Sequence, residues 1–172
     1  FEAIQNFDLD DERLRWSISV TNCDIRPMPA GIGLHPFFAK SPLMELEFGA
    51  KAAWRNDARA LPMGRSPVPP EWNFKPARRI SDLEINNCFE GWTGDARIVW
   101  PEHGWAVALA ADKTFGHLVV YTTPARDDIA IEPISHANNA LNLVERYSDT
   151  AMHVLAPGET LSGAFTISPM PL

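Results

Sequence analysis

Two side chains of this sequence can exchange protons near neutral pH, and each stands directly before a proline. His35 lies in the segment GIGLHPFF (residues 31–38), and Glu132 ends the short apolar run IAIE (residues 129–132). Imidazole titrates near neutrality and a carboxylate can accept a proton, so the pair can act as general acid and general base. Because proline restricts the preceding residue to extended backbone, both residues are predicted to lie at strand ends.

The surroundings of these two residues allow a site but do not require one. The glycines at 31 and 33 give a flexible backbone, and Phe37 and Phe38 offer flat apolar surface beside His35. A histidine among apolar residues is also commonly a hydrogen-bonded structural residue, and a glutamate that ends a strand can simply face water. The residues alone therefore leave the catalytic and the structural interpretations open.

The elements that must position this pair are mostly strands, because apolar and polar residues alternate along much of the chain. Leu14, Trp16, Ile18 and Val20 alternate with polar residues, as in a strand with one buried face. The number and spacing of such runs favour an all-β fold, a large antiparallel sandwich. The predicted strands are 14–20, 44–48, 96–100, 105–110, 118–122, 129–132, 152–155 and 161–168.

Three segments do not follow the strand pattern. Residues 101–104 (PEHG) are predicted to form a hairpin turn, and residues 137–147 a helical turn or two. Residues 61–76 carry five of the 15 prolines and few periodic apolar residues. They are predicted to form a long loop, which in a compact domain is either a functional rim or a linker.

Composition indicates one ordinary globular domain over residues 1–172. The net charge is −7 and there is no run of Lys and Arg, which argues against a nucleic-acid partner. No apolar run reaches membrane-spanning length, so no membrane partner is expected. Cys23 and Cys88 match neither a metal motif nor a disulfide framework, and we expect two reduced cysteines in a cytoplasmic protein.

Five segments, in order, resemble the aldose 1-epimerase (galactose mutarotase) family. They are RPMPAGIGLHPFF (26–38), CFEGWTG (88–94), LVVYTTP (118–124), EPISH (132–136) and VLAPGET (154–160). The resemblance implies a β-sandwich of the galactose mutarotase type with a sugar in a groove across one sheet. It also implies an isomerase that interconverts the α and β anomers of a free sugar, a small-molecule partner, and no metal or cofactor.

The resemblance also assigns roles to single residues. The family's general acid is the histidine before Pro-aromatic, here His35, and its general base is a glutamate on a late strand, here Glu132. Asn86 stands where family members commonly carry a sugar-binding aspartate. Trp92 is predicted either to support a sugar ring or to fill the core, and His136 either to face the groove or to be satisfied by backbone.

Two other functions remain open, namely a non-catalytic carbohydrate-binding or sensing module and an epimerase-like enzyme for a phosphorylated sugar. The resemblance covers the later part of the family's domain. In the family, the earlier part supplies a further histidine and arginine that bind the sugar. We therefore expect chain 1–172 alone to have little activity, to lack a basic residue reaching towards His35, and to expose a sheet edge through which copies associate.

Overall fold

The computed structural model describes residues 1–147 and 150–172, and most of its regular structure is β-strand. Two large antiparallel sheets face each other. The first contains β1 (Glu2–Leu9), β2 (Leu14–Thr21), β5 (Glu45–Phe48), β8 (Arg78–Arg79), β10 (Asp95–Trp100), β11 (Trp105–Ala111) and β15 (Thr160–Pro171). The second contains β4 (Phe37–Ala39), β6 (Ala52–Asn56), β7 (Pro62–Pro67), β9 (Ile85–Glu90), β12 (His117–Thr122) and β13 (Asp128–Ile134).

The order of the strands differs from their order in sequence. It is β1-β2-β15-β11-β10-β5-β8 in the first sheet and β4-β13-β12-β9-β6-β7 in the second. A separate pair joins β3 (Met28–Ala30) to β14 (His153–Leu155). Two 3-10 turns, Pro70–Trp72 and Pro101–His103, and the short helix α1 (Ala140–Leu143) complete the regular structure of the described residues.

The core lies between the inner faces of the two sheets. Phe48 and Phe165 of the first sheet belong to the same buried cluster as Phe89 and Leu118 of the second. The rings of Phe48 and Phe89 meet edge to face, with centroids 5.0 Å apart. The antiparallel sandwich predicted from strand spacing is therefore confirmed.

Each of the eight predicted strands overlaps an observed strand, and the predicted helical segment contains α1. The turn at residues 101–104 is also observed, and Gly104 in it has a φ of 66°. The loop predicted over residues 61–76 is wrong in its first part. Pro62–Pro67 is β7, an outer strand of the second sheet that pairs with β6, and edge strands tolerate proline because one row of their backbone groups is unpaired.

Strand β1 lies at the edge of the first sheet and pairs only with β2. All eight of its residues are exposed, including Ile4 and Phe7, so the chain does expose a sheet edge. Self-association through it stays a prediction. In the described ranges, 1–147 and 150–172, we find no helix with the length and hydropathy needed to cross a membrane.

Candidate active site

The segment around His35 is held against β13 by hydrogen bonds. The Ile32 amide donates to Ser135 Oγ (2.9 Å), and the Ser135 amide donates back to the Ile32 carbonyl (2.9 Å). One residue closer to the histidine, the Leu34 amide donates to the Pro133 carbonyl (3.0 Å). Residues 32–39 therefore run antiparallel to β13 as an added edge of the second sheet.

This register places His35 directly opposite Glu132. An antiparallel bridge between Gly33 and Ile134 lies on one side of the pair, and the pairing of β4 with β13 lies on the other. As a result His35 Nε2 and Glu132 Oε1 are 3.2 Å apart. The two residues singled out by their place before a proline are thus in hydrogen-bond reach, although almost a hundred residues separate them in sequence.

The period of two along β13 determines which way Glu132 points. Ile129 and Ile131 are fully buried in the core, so Glu132 lies on the opposite face of the sheet. Its side chain is 13% exposed, whereas that of His35 is 55% exposed. Burial raises the pKa of the Glu132 carboxyl, and the positive charge of a protonated His35 opposes that shift.

A groove of about 310 Å³ opens over this pair and contains three of the five predicted site residues. They are His35, Glu132 and Asn86. The groove is further lined by Phe37, which the sequence places beside His35, and by four residues that sequence reasoning did not assign to the site: Val119, Tyr121, Arg126 and Asn138.

The groove follows two neighbouring rows of side chains across the second sheet. In one row Val119 of β12 stands beside Glu132, and in the other Tyr121 stands beside Asn86 of β9. Val119 and Tyr121 alternate with core residues of a strand that the sequence did predict. The pairing of β12 with β13 and β9, in this register, brings Val119 and Tyr121 to the groove. The sequence carries no local signal for the choice of partner strand or for the register.

A basic residue, Arg126, lines the groove, while the absence of a basic residue that reaches towards His35 stays a prediction. The Arg126 Cζ lies 5.9 Å from the centre of the Phe37 ring, and that ring lies 4.7 Å from the ring of His35. The Arg126 Nε and Nη2 groups both donate to Asp128, at 2.6 Å each. This pair raises the pKa of Arg126 and lowers that of Asp128, so both remain charged.

Trp92 does not lie with the other predicted site residues. It is 5% exposed and belongs to the main buried cluster, and its indole Nε1 donates to the Asp95 carbonyl (2.8 Å). Of its two sequence-based interpretations, the core position is therefore the one that the structure supports. A ring buried between the sheets offers no face to a sugar on the outer surface.

His136 is near the groove but lines a neighbouring pocket. Its Nδ1 lies 2.8 Å from the Ala137 carbonyl, and its ring lies against Gly31, where an added Cβ would fall 1.8 Å from His136 Cδ2. At Gly33 an added Cβ would come within 2.8 Å of Ile134 Cγ2. The two glycines predicted to be flexible are thus required because side chains from β13 and the residues after it pack on their backbone.

No group of three or more His, Cys, Asp and Glu side chains in residues 1–147 and 150–172 is placed to hold a metal ion. Both cysteines are free thiols, Cys23 exposed and Cys88 buried. Burial raises the pKa of Cys88 to about 12, so this thiol stays protonated.

Comparison with known proteins places this chain in a family. The family model for aldose 1-epimerase matches residues 1–168. The uncharacterized protein YphB of Escherichia coli K12 is 28% identical over 176 residues, an alignment that covers 97% of this chain and 59% of YphB. The chain therefore spans about three fifths of that relative's length.

Solved structures agree on the fold. A putative aldose 1-epimerase from Escherichia coli K12 superposes with a TM-score of 0.88 at 27% identity, over 98% of this chain and 60% of the other. A galactose mutarotase-like protein from Clostridium acetobutylicum superposes with a TM-score of 0.85 at 18% identity, over 98% and 55%. The fold, the match along almost the whole chain and the pairing of His35 with Glu132 lead to one conclusion: this chain belongs to the aldose 1-epimerase family.

Proposed function

We propose that the protein containing this chain is an aldose 1-epimerase, which interconverts the α and β anomers of a free sugar. The observation that carries the proposal is the 3.2 Å contact between His35 Nε2 and Glu132 Oε1 at the groove. The anomeric hydroxyl and the ring oxygen of an aldose are bonded to the same carbon. An acid and a base that lie as close together as this pair does can therefore act on these two oxygens at once.

In the proposed reaction Glu132 removes the proton of the anomeric hydroxyl while His35 protonates the ring oxygen. The electrons of the O–H bond form the carbonyl as the bond between C1 and the ring oxygen breaks. The open-chain aldehyde then rotates about its C1–C2 bond. Ring closure reverses both transfers: His35 accepts the proton of the C5 hydroxyl, and Glu132 returns a proton to the carbonyl oxygen.

The other groove residues have binding roles in this proposal. The exposed Asn86 amide can donate to one sugar hydroxyl and accept from another, but it lacks the charge of the aspartate that the family commonly places there. Phe37 and Tyr121 offer ring surface against which the C–H faces of a sugar can pack.

The first expected result is catalysis of mutarotation. The complete protein should accelerate the change in optical rotation of freshly dissolved aldoses above the buffer rate, because an acid and a base act together on the hemiacetal. Polarimetry with a panel of hexoses and pentoses measures this. If sugars bind but none changes anomer faster than in buffer, the protein is instead a carbohydrate-binding or sensing module.

The pH dependence should follow from the ionisation that the mechanism needs. Glu132 acts only when ionised, and because burial raises its pKa, the acid limb of kcat/KM should lie above the ordinary glutamate value of 4.5. Because the mechanism needs an ionised base together with a protonated acid, the profile should be bell-shaped. A rate that is constant through the acid range would exclude Glu132 as the base.

A phosphorylated sugar is the second candidate substrate, because Arg126 brings a guanidinium into the groove. Two observations favour the free sugar over the phosphorylated sugar as substrate. Asp128 binds Arg126 through two hydrogen bonds and offsets its charge, and the net charge of −7 disfavours anions in general. Adding D-glucose 6-phosphate to the sugar panel compares the two candidates directly.

A further inference from the structure

A second pocket lies next to the groove. Its volume is about 420 Å³, compared with about 310 Å³ for the groove. Asn138 lines both. The second pocket starts at Gly33 and Ile134, which pair with each other. Gly33 lies two residues from His35 and Ile134 lies two residues from Glu132, on the same face of the sheet. Two residues of strand span about 7 Å, a distance comparable with the spacing of linked sugar rings.

Two loops build this pocket and are tied to each other. One is the β6–β7 connection, which supplies Leu61, and the other follows β13 and supplies Asn139. The Asn139 side-chain amide donates to the Pro62 carbonyl across the pocket (3.1 Å). The connection between the two loops keeps the pocket open in a defined shape.

The β6–β7 connection is closed by hydrogen bonds between Asp57 and Leu61. Asp57 Oδ1 accepts the Leu61 amide (3.0 Å), and the Asp57 amide donates to the Leu61 carbonyl (2.9 Å). Ala60 and Asn139 both have a left-handed backbone, with φ of 60° and 62°. For alanine this conformation costs of order 1 kcal/mol or more, and such residues cluster at binding sites.

The chemistry of the lining favours an uncharged polar ligand with an apolar face. Leu61, Pro62 and Ile134 form an apolar wall, while His136 and Asn138 supply polar groups. The Ala137 carbonyl can only accept, so Nδ1 of His136 donates to it. Among the described residues that line the pocket there is no Lys, Arg, Asp or Glu, so nothing there matches a phosphate.

We infer that this pocket is a subsite for a second sugar ring, and that the substrate is the reducing end of a disaccharide or longer saccharide. The inference rests on the proposed function, since the reacting ring occupies the groove over His35 and Glu132. The second ring packs its C–H face on Leu61 and directs its hydroxyls towards His136 and Asn138.

The test compares sugars that share one reducing ring. Polarimetry on the complete protein gives kcat/KM for D-glucose, maltose, cellobiose and melibiose. We expect at least one disaccharide to exceed glucose by about tenfold or more, the scale on which small groups filling a pocket discriminate between substrates. The inference is overturned if every disaccharide is used no better than glucose, even though monosaccharides are accelerated. If no sugar at all is accelerated, the proposed function fails instead.

Two substitutions locate the effect. Leu61→Asp places a charge in the apolar wall and should lower kcat/KM for the preferred disaccharide about tenfold more than for glucose. Leu141→Asp changes an exposed leucine of α1 that lines neither pocket, and it should leave the ratio between the two substrates unchanged. An equal fall for both substrates in Leu61→Asp would mean that the second pocket does not hold a second ring.

Discussion

Glu132→Gln and His35→Asn should each lower the kcat of mutarotation by about a hundredfold or more, the usual contribution of a general base or acid. Glutamine keeps the shape of Glu132 but cannot take the proton of the anomeric hydroxyl. Asparagine keeps a polar side chain at position 35 but cannot protonate the ring oxygen. Polarimetry under saturating sugar measures both variants against the unchanged protein.

The melting temperature of Glu132→Gln distinguishes a loss of catalysis from a loss of folding. Burial raises the pKa of Glu132, so the folded state favours its neutral form, and ionising it costs stability as the pH rises through that pKa. Glu132→Gln removes this cost, although it also removes the contact with His35, so its melting temperature at pH 7 should not fall substantially. His103→Asn, at an exposed turn, is the matched histidine control. A near-normal rate in Glu132→Gln or His35→Asn would remove that residue from the mechanism.

Trp92→Ala should destabilise the protein by about 3–5 kcal/mol, the usual cost of removing a large aromatic side chain from a core. Its ring is buried between the sheets, and the substitution leaves both a cavity and an Asp95 carbonyl without its indole donor. Urea unfolding followed by circular dichroism gives the free energy of unfolding.

Trp105→Ala is the matched control, because Trp105 is 51% exposed and is the first residue of β11. It should cost about 1 kcal/mol or less. If Trp92→Ala instead keeps its stability and raises the KM for sugar, the ring contacts the substrate and its core assignment is wrong.

The regular alternation of side chains could be predicted because it depends on neighbours in sequence. A strand exposes alternate residues to opposite faces, so runs such as Leu14–Thr21 reveal themselves without tertiary information. Segments without this signal were missed. β7 contains two prolines and a glycine, and β4 has only three residues, so both are strands because of the neighbours with which they pair.

His35 and Glu132 could be singled out in the sequence because each stands before a proline in a segment that resembles the family. Tyr121, Arg126 and Asn138 had no such signal, and they reach the groove only because β12, β13 and the connections around them are adjacent in the folded sheet. Asn86 was identified by resemblance alone, and the pairing of β9 with β12 accounts for its place in the groove.

The sequence by itself determined an all-β chain, its principal strands and the two residues able to exchange protons. The tertiary structure decided which residues meet, because strand register is a long-range property that no local pattern encodes. It places His35 opposite Glu132 and buries Trp92 between the sheets. It also places the His136 side chain in the lining of the neighbouring pocket. Both indole and imidazole are compatible with a core or a groove, and only the packing of distant strands selects between them.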